Sequence, residues 1–196
     1  EYYTEGIYVG YRYFDTFDVP VRYGFGFGLS YTAFEIKVLS AVLKDDKKTV
    51  AVETEVINTG DTYSGREVVQ AYVTCPAGRL QKEYRRLAAF GKTEVLAPGE
   101  SQKMVLTFTL DQLTSYCEKD AVWIMEAGNY VIWVGNSLDA SVPAAVLKLD
   151  EEAVLYKTEN ICPLQEELSE KKEDAEKVEA KLAALLERTA GLPVLE

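Results

Sequence analysis

Stretch after stretch of this chain alternates apolar and polar side chains with the period of a β-strand, and this pattern restricts the fold more than any other feature. Lys48 to Asn58, KTVAVETEVIN, sets Val50, Val52 and Val56 on one face and Glu53 and Glu55 on the other. Asn58-Thr-Gly-Asp61 then supplies the residues of a turn. Arg66 to Thr74, REVVQAYVT, offers Val69, Ala71 and Val73 to one side and Val68 and Tyr72 to the other, so it reads as a central strand covered on both faces. Ala97-Pro98-Gly99-Glu100 places Pro and Gly where a type II turn requires them, and SQKMVLTFTL beyond it aligns Met104, Leu106, Phe108 and Leu110. AVWIM and NYVIWVG flank Glu126-Ala-Gly128 and predict a short hairpin, with Tyr130, Ile132 and Val134 opposing Val131 and Trp133. Short strands with turns at this spacing indicate an all-β, immunoglobulin-like antiparallel sandwich.

The two ends depart from that pattern. Ile7, Val9, Tyr11 and Tyr13 alternate and predict one N-terminal linker strand. Beyond about Asp150 a polar connector runs to Cys162-Pro163, and Leu164 to Arg188 is rich in Glu, Lys, Ala and Leu, which predicts a C-terminal helix. Pro163 suits its first turn, Gly191 its stop, and Pro193 forbids continuation. Leu168, Ala175, Val178, Leu182 and Leu185 form an apolar stripe that Lys171 interrupts, so a helix packed on a neighbouring domain is expected over a coiled coil. The chain divides accordingly into 1–29, 30–150 and 151–196.

With 196 residues there is room for one substantial domain plus extras. A formal net charge of −11 argues against nucleic acid and anionic membrane as partners, since both need clustered Lys and Arg. No apolar run is long enough to cross a bilayer, and the opening residues lack both the character of a signal peptide and a starting Met, so a piece of a larger protein is expected. Cys75, Cys117 and Cys162 are odd in number and far apart, which suggests neither a disulfide framework nor a zinc site and points to a reducing, cytoplasmic setting. The absence of histidine removes Ser-His-Asp and Cys-His arrangements and most metal sites, so no cofactor or metal is expected and any catalysis would fall to carboxylates.

YGFGFGLSY, Tyr23 to Tyr31, spaces its glycines at Gly24, Gly26 and Gly28 and leads into LSYTAFEIKVLSAVL, where Phe34, Ile36 and Val38 alternate with a slip of phase near Leu39 that predicts a bulge. A dinucleotide site needs different glycine spacing and a helix after it, so phosphate is not the expected ligand.

EGIYVGYRYFD and VRYGFGFGLSYTAFE, followed by GREVVQAYV, RRLAAFGKTEVLAPGES and AGNYVIWVGNSLD, resemble in this order the glycoside hydrolases of family 3, which include many β-glucosidases. The resemblance covers roughly residues 5 to 140. It implies the exit of an α/β sandwich domain followed by a fibronectin type III-like domain, within a parent enzyme that retains configuration and uses two carboxylates. Gly24 stands where the family usually has proline.

In the family the nucleophile is an Asp in a Ser-Asp-Trp context on a barrel domain, and the acid/base is commonly a Glu on a loop of the α/β domain. Neither context occurs here, so no catalytic residue is expected. Glu5 aligns with the end of the α/β domain rather than with its catalytic loop, and Asp45-Asp46 and Glu151-Glu152 read as solvated turns. The resemblance implies a supporting module whose partners are the α/β and barrel domains of the same parent chain, with carbohydrate substrate reached through those domains. The helix either leads onward into a barrel or forms a tail.

The glycine loop then becomes a joint in which Tyr11, Tyr13, Tyr23, Phe25, Phe27 and Tyr31 are the domain-interface candidates. Two other readings remain. A carbohydrate-binding sandwich would need a row of exposed rings, for which Tyr63, Tyr84 and Tyr116 are the loop aromatics, and an assembly module would rest on the stripe of Leu168 to Leu185.

Overall fold

The computed structural model describes residues 3–162, 166 and 168–196. In chain order the elements are α1 (Tyr11–Thr16), β1 (Phe34–Leu43), β2 (Thr49–Asn58), β3 (Val68–Thr74), β4 (Arg86–Lys92), β5 (Ser101–Thr109), a 3-10 turn (Leu110–Leu113), β6 (Ser115–Cys117), β7 (Val122–Met125), β8 (Gly128–Gly135), β9 (Val142–Leu149), β10 (Ala153–Lys157), α2 (Ala175–Arg188) and β11 (Val194–Leu195). One sheet has the order β1-β2-β5 and a second β11-β9-β8-β3-β4, while β10-β7-β6 form a small third sheet. Pairing is antiparallel except for β11, which runs parallel to β9.

The alternation dictates which side chains meet between the two larger sheets. Val50, Val52, Val56, Leu106 and Phe108 face Val69, Ala71, Val73, Tyr130, Ile132 and Val134 in one buried core. Their β-branched and aromatic side chains suit a pleated surface, and their removal from water is the main driving force for the sandwich. Tyr72, Val131 and Trp133 point the other way, into a second cluster outside the five-stranded sheet. The bulge expected near Leu39 falls between Val38 and Ser40. Gly99 adopts φ +79° and the Glu100 N–H donates to Ala97 O at 2.9 Å, which is the turn its sequence specifies.

Asn58 joins the loops at one end of the sandwich. It is fully buried, donates through Nδ2 to the carbonyls of Tyr63 (3.0 Å) and Leu96 (2.9 Å), and accepts through Oδ1 from Thr32 Oγ1 (2.6 Å) and the Gly60 N–H (3.1 Å).

Three local expectations give way. Tyr11 and Tyr13 lie in a helix rather than a linker strand, because contacts recur every fourth residue: Tyr11 and Asp15 turn toward β4 and its preceding loop, while Tyr13 meets Phe17. Gly10, at φ +61°, turns the chain into this helix.

Glu126-Ala-Gly128 is a crossover rather than a hairpin, since β7 and β8 belong to different sheets. Glu126 is buried there against Lys82, and Gly128 adopts φ +138° in a place where a Cβ would collide with Pro76. The helix α2 begins at Ala175 instead of Leu164, with the Asp174 side chain capping the Glu176 N–H. Leu168 is exposed ahead of it, and Pro163 and Leu164 lie outside the described residues.

The apolar stripe of α2 covers this chain's own sheet rather than the neighbouring domain expected, because Tyr72, Val131 and Trp133 give that sheet an apolar outer face for the helix to close. Leu182 and Leu185 pack on Tyr72, Val131, Trp133 and Val146. Gly191 (φ +90°) ends the turn after the helix, and β11 then extends the edge of β9. Lys171 does not continue the stripe: its Nζ sits over the rings of Tyr13 (4.2 Å) and Phe17 (4.7 Å).

Candidate domain joint

The outer face of the five-stranded sheet leaves Tyr72 and Trp133 uncovered unless something packs on them; α1 and α2 do so, and the glycine loop packs in turn on Tyr11 and Gln70. Tyr11 is the first contact. Its ring stacks on Phe25 at 4.3 Å and 22°, meets Tyr72 edge-on at 6.4 Å, and its hydroxyl accepts from the Leu87 N–H at 2.9 Å.

The loop is fastened by its backbone as well as by its rings. Phe25 O accepts from the Leu138 N–H at 2.9 Å, and Phe27 N–H closes a turn onto Gly24 O at 3.1 Å. Gly26 adopts φ +80°, and a Cβ there would fall 2.3 Å from Gln70 Oε1. Gln70 has little room to retreat, because its Oε1 accepts from the Tyr72 hydroxyl and its Nε2 donates to Asn136 O at 2.6 Å. A Cβ on Gly24 would meet only the Asp139 carboxylate, the free end of a side chain.

Arg85 ties these parts together. Its guanidinium forms a two-pronged pair with Asp15 of α1 and donates through Nη1 to Leu138 O (2.8 Å) and Ser141 Oγ (3.0 Å). It also lies over Trp133 at 5.0 Å and Tyr84 at 5.6 Å. From the other side, Lys181 of α2 donates to Asp15 O (3.1 Å) and Asp18 Oδ1 (2.7 Å) while resting over Tyr84 at 3.9 Å.

Below this cluster Tyr8 is buried, with its hydroxyl 2.8 Å from Gln81 Oε1 and 3.2 Å from Glu173 Oε2. Burial, reinforced by Glu173, pushes the Tyr8 phenol well above its ordinary value, and burial likewise raises the Glu173 carboxyl. Glu126 experiences the opposite balance. Burial pushes it up, but the Lys82 ammonium and the N–H groups of Arg79 and Leu80 outweigh this and hold it below the ordinary carboxylate range.

The six aromatic candidates separate into two kinds. Tyr11 packs against the cluster with Phe25 stacked on its outer side, where Phe25 stays partly exposed, and Tyr13 packs against Phe14 and Phe17. Tyr23 and Phe27 stack on one another at 4.9 Å yet remain 62% and 50% exposed, and Tyr31, beside Tyr63, is 92% exposed. Leu29 is 92% exposed as well. Glu5 is exposed, and its carbonyl receives the Tyr8 N–H at 3.0 Å.

Tyr63, Tyr84 and Tyr116 do not form a row, because each has separate neighbours: Tyr31, Trp133 and Trp123 respectively. Sequence reading passed over Arg85, Asp15 and Lys181. The available signal was Arg85 beside the aromatic Tyr84, but its partner lies 70 positions away.

Residues 67–138 match the fibronectin type III-like domain family. The chain is 39% identical over 163 residues to a β-glucosidase of Ruminococcus albus, covering 80% of this chain and 17% of that protein. It is 34% identical over 151 residues to a β-glucosidase of Kluyveromyces marxianus, covering 76% and 18%. Among solved structures it resembles a β-glucosidase from Paenibacillus barengoltzii with a TM-score of 0.78 at 38% identity, covering 81% of this chain and 18% of that one. It also resembles β-glucosidase 3B from Thermotoga neapolitana in complex with α-D-glucose, with a TM-score of 0.70 at 40% identity over 78% and 20% of the two chains. The chain spans under a fifth of the length of these curated relatives.

Proposed function

Because this chain belongs to the fibronectin type III-like domains of the family 3 glycoside hydrolases, we propose that it is the non-catalytic supporting module of a longer β-glucosidase-like enzyme. In this reading residues 1–29 are the end of an α/β domain and its linker, 30–150 carry most of the sandwich, and 151–196 are a connector and helix that also return the strands β10 and β11 to its sheets. The partners are the α/β and barrel domains of the same chain. Substrate reaches the active site on those domains, which supply both the catalytic carboxylates and the retaining hydrolysis.

The observation that carries this reading is the glycine loop. One side of it is fastened to the sheet through Phe25, Gly26 and Tyr11, while Tyr23, Phe27, Leu29 and Tyr31 are left in the open. Exposed rings on an immobilised loop form a rigid apolar surface for a neighbouring domain, and rigidity matters because small misplacements at an active site cost large factors in rate.

The test is the pair of substitutions Tyr23→Ser and Phe27→Ser. In the isolated chain the two rings are exposed, so stability moves by about 0.5 kcal/mol or less each. In the longer enzyme the same pair lowers kcat/KM for an aryl β-glucoside roughly 10- to 100-fold. Unchanged kcat/KM there removes the joint reading.

A further inference from the structure

The small sheet carries a row of aromatic rings. Tyr116 of β6 is registered directly opposite Trp123 of β7, and Trp123 is registered opposite Tyr156 of β10. Registered partners on adjacent strands share a face, and a bulge between Val154 and Tyr156 brings β10 into this register, so each strand contributes one ring to the same side of the sheet. The opposite face is apolar and closed: Cys117, Val122 and Ile124 pack there against Leu80. The ring face is open, with Trp123 40% and Tyr156 53% exposed. Tyr116 and Trp123 have ring centroids 5.2 Å apart and planes inclined by 46°, which makes the strip twisted rather than flat.

A polar rim completes the surface. Asp111, Thr114, Lys157 and Thr158 line a shallow depression together with Trp123 and Tyr156. Thr158 is held in place by its own bonds, its N–H and Oγ1 both reaching Ala121 O at 2.8 and 2.9 Å, with the Tyr116 hydroxyl 3.2 Å away. Asp111 is exposed, and its carboxylate can accept hydroxyl protons while Lys157 donates.

We propose that this row is a binding platform for a neutral, linear oligosaccharide. Ligand classes differ in what they require of a surface, and only one matches both parts of this one. A pyranose has an apolar C–H face that lies on an aromatic ring and a perimeter of hydroxyls that need both donors and acceptors. A ring on each of three successive strands offers contacts repeating at about the 4.8 Å strand spacing, so consecutive sugar units meet consecutive rings. An apolar peptide or lipid would cover the charged ends of Asp111 and Lys157 without offering them polar partners, and an anionic polymer would meet a chain of net charge −11. The platform is separate from the joint, because it lies on the β10-β7-β6 sheet while the joint is built on the five-stranded sheet. It would hold a polymeric or oligomeric glycoside beside the enzyme without taking part in its hydrolysis. The inference rests on the chain serving a glycoside-handling protein, but its test requires no hydrolysis.

The experiment is titration of the 196-residue chain with cellohexaose, laminarihexaose and xylohexaose, read by tryptophan fluorescence and isothermal calorimetry. Saturable binding of at least one is expected, with affinity weakened about 10-fold or more in Trp123→Ala and in Tyr156→Ala, the scale expected when one stacked ring is lost. Tyr63→Ala, far from the row, is expected to leave affinity unchanged. Urea midpoints of all variants report whether the fold is retained, and Trp123→Tyr, which keeps a ring, is expected to restore most of the affinity. No binding of any of the three up to millimolar concentration would overturn the proposal, as would affinity unchanged in both ring-to-alanine variants. A third contrary result is binding that is lost when the rest of the enzyme is present, which would make the row an interdomain contact. Failure of the joint substitutions alone would leave this titration unaffected and so distinguishes the two readings.

Discussion

Arg85→Met tests how the joint is held together. The Arg85 side chain is 11% exposed and that of Asp15 is 8% exposed, so solvent screens little of their attraction. Methionine replaces the apolar stem as far as Nε but lacks the guanidinium head and every donor. The Asp15 carboxylate loses its cation, and Leu138 O and Ser141 Oγ lose the Nη1 donor. Breaking a buried pair from one side costs about 3–5 kcal/mol, because the remaining charge stays desolvated. With a urea dependence of about 3 kcal/mol/M, the unfolding midpoint should fall by roughly 1–1.7 M.

Asp15→Asn combined with Arg85→Met removes the stranded charge, so the double variant should be more stable than Arg85→Met alone, with a coupling of about 1–3 kcal/mol. Arg85→Lys keeps the charge but cannot span Asp15 and Leu138 together, and should recover only part of the loss. A midpoint for Arg85→Met within about 0.3 M of the parent would refute the reasoning, since that shift is below 1 kcal/mol at the same slope. A double variant no more stable than Arg85→Met would refute it equally.

Asn58→Ala removes both carbonyl donors and the acceptor for Thr32 and Gly60, and equilibrium unfolding should show a loss of about 2–3 kcal/mol. Gly26→Ala forces a side chain to φ +80° against a tethered Gln70 and should cost about 1–2 kcal/mol, whereas Gly24→Ala displaces only the Asp139 carboxylate and should cost less in the same assay. The two buried acids oppose each other in acid. Glu126 has a depressed folded value, so its contribution is complete above its unfolded value of about 4.3 and is lost as pH falls through the lower folded value. Glu173 has a raised folded value, so it costs stability at neutral pH; the cost shrinks as pH falls through that value and is gone below the unfolded one. Denaturation from pH 7 to pH 3 should therefore show a shallower acid loss in Glu126→Gln and a gain at pH 7 in Glu173→Gln.

The sandwich was legible because its strands bury alternate residues, so that Val50, Val52 and Val56 reveal their face without reference to any other part of the chain. The turn at Pro98-Gly99 and the bulge after Val38 were legible for the same local reason. Tyr11 was misread because its partners Leu87, Tyr72 and Phe25 decide its conformation, and a period of two over Ile7 to Tyr13 cannot report them. Glu126 was missed as a crossover because the cause is Lys82, 44 positions earlier.

The glycine loop was read as a joint from its composition and resemblance, but Arg85, which binds Asp15 of α1 and the Leu138 carbonyl next to it, carries no local sign of that role. The row of Tyr116, Trp123 and Tyr156 was likewise invisible, since β10 lies in a stretch read as connector and only sheet pairing brings Tyr156 beside Trp123.

The most direct test of the supporting-module account is hydrolysis of aryl β-glucoside and β-xyloside by the 196-residue chain and by the longer enzyme, measured side by side at equal molarity. The account predicts turnover in the longer enzyme and none above the uncatalysed rate in the chain alone. Turnover by the chain alone would contradict it and place the catalytic carboxylates within these residues.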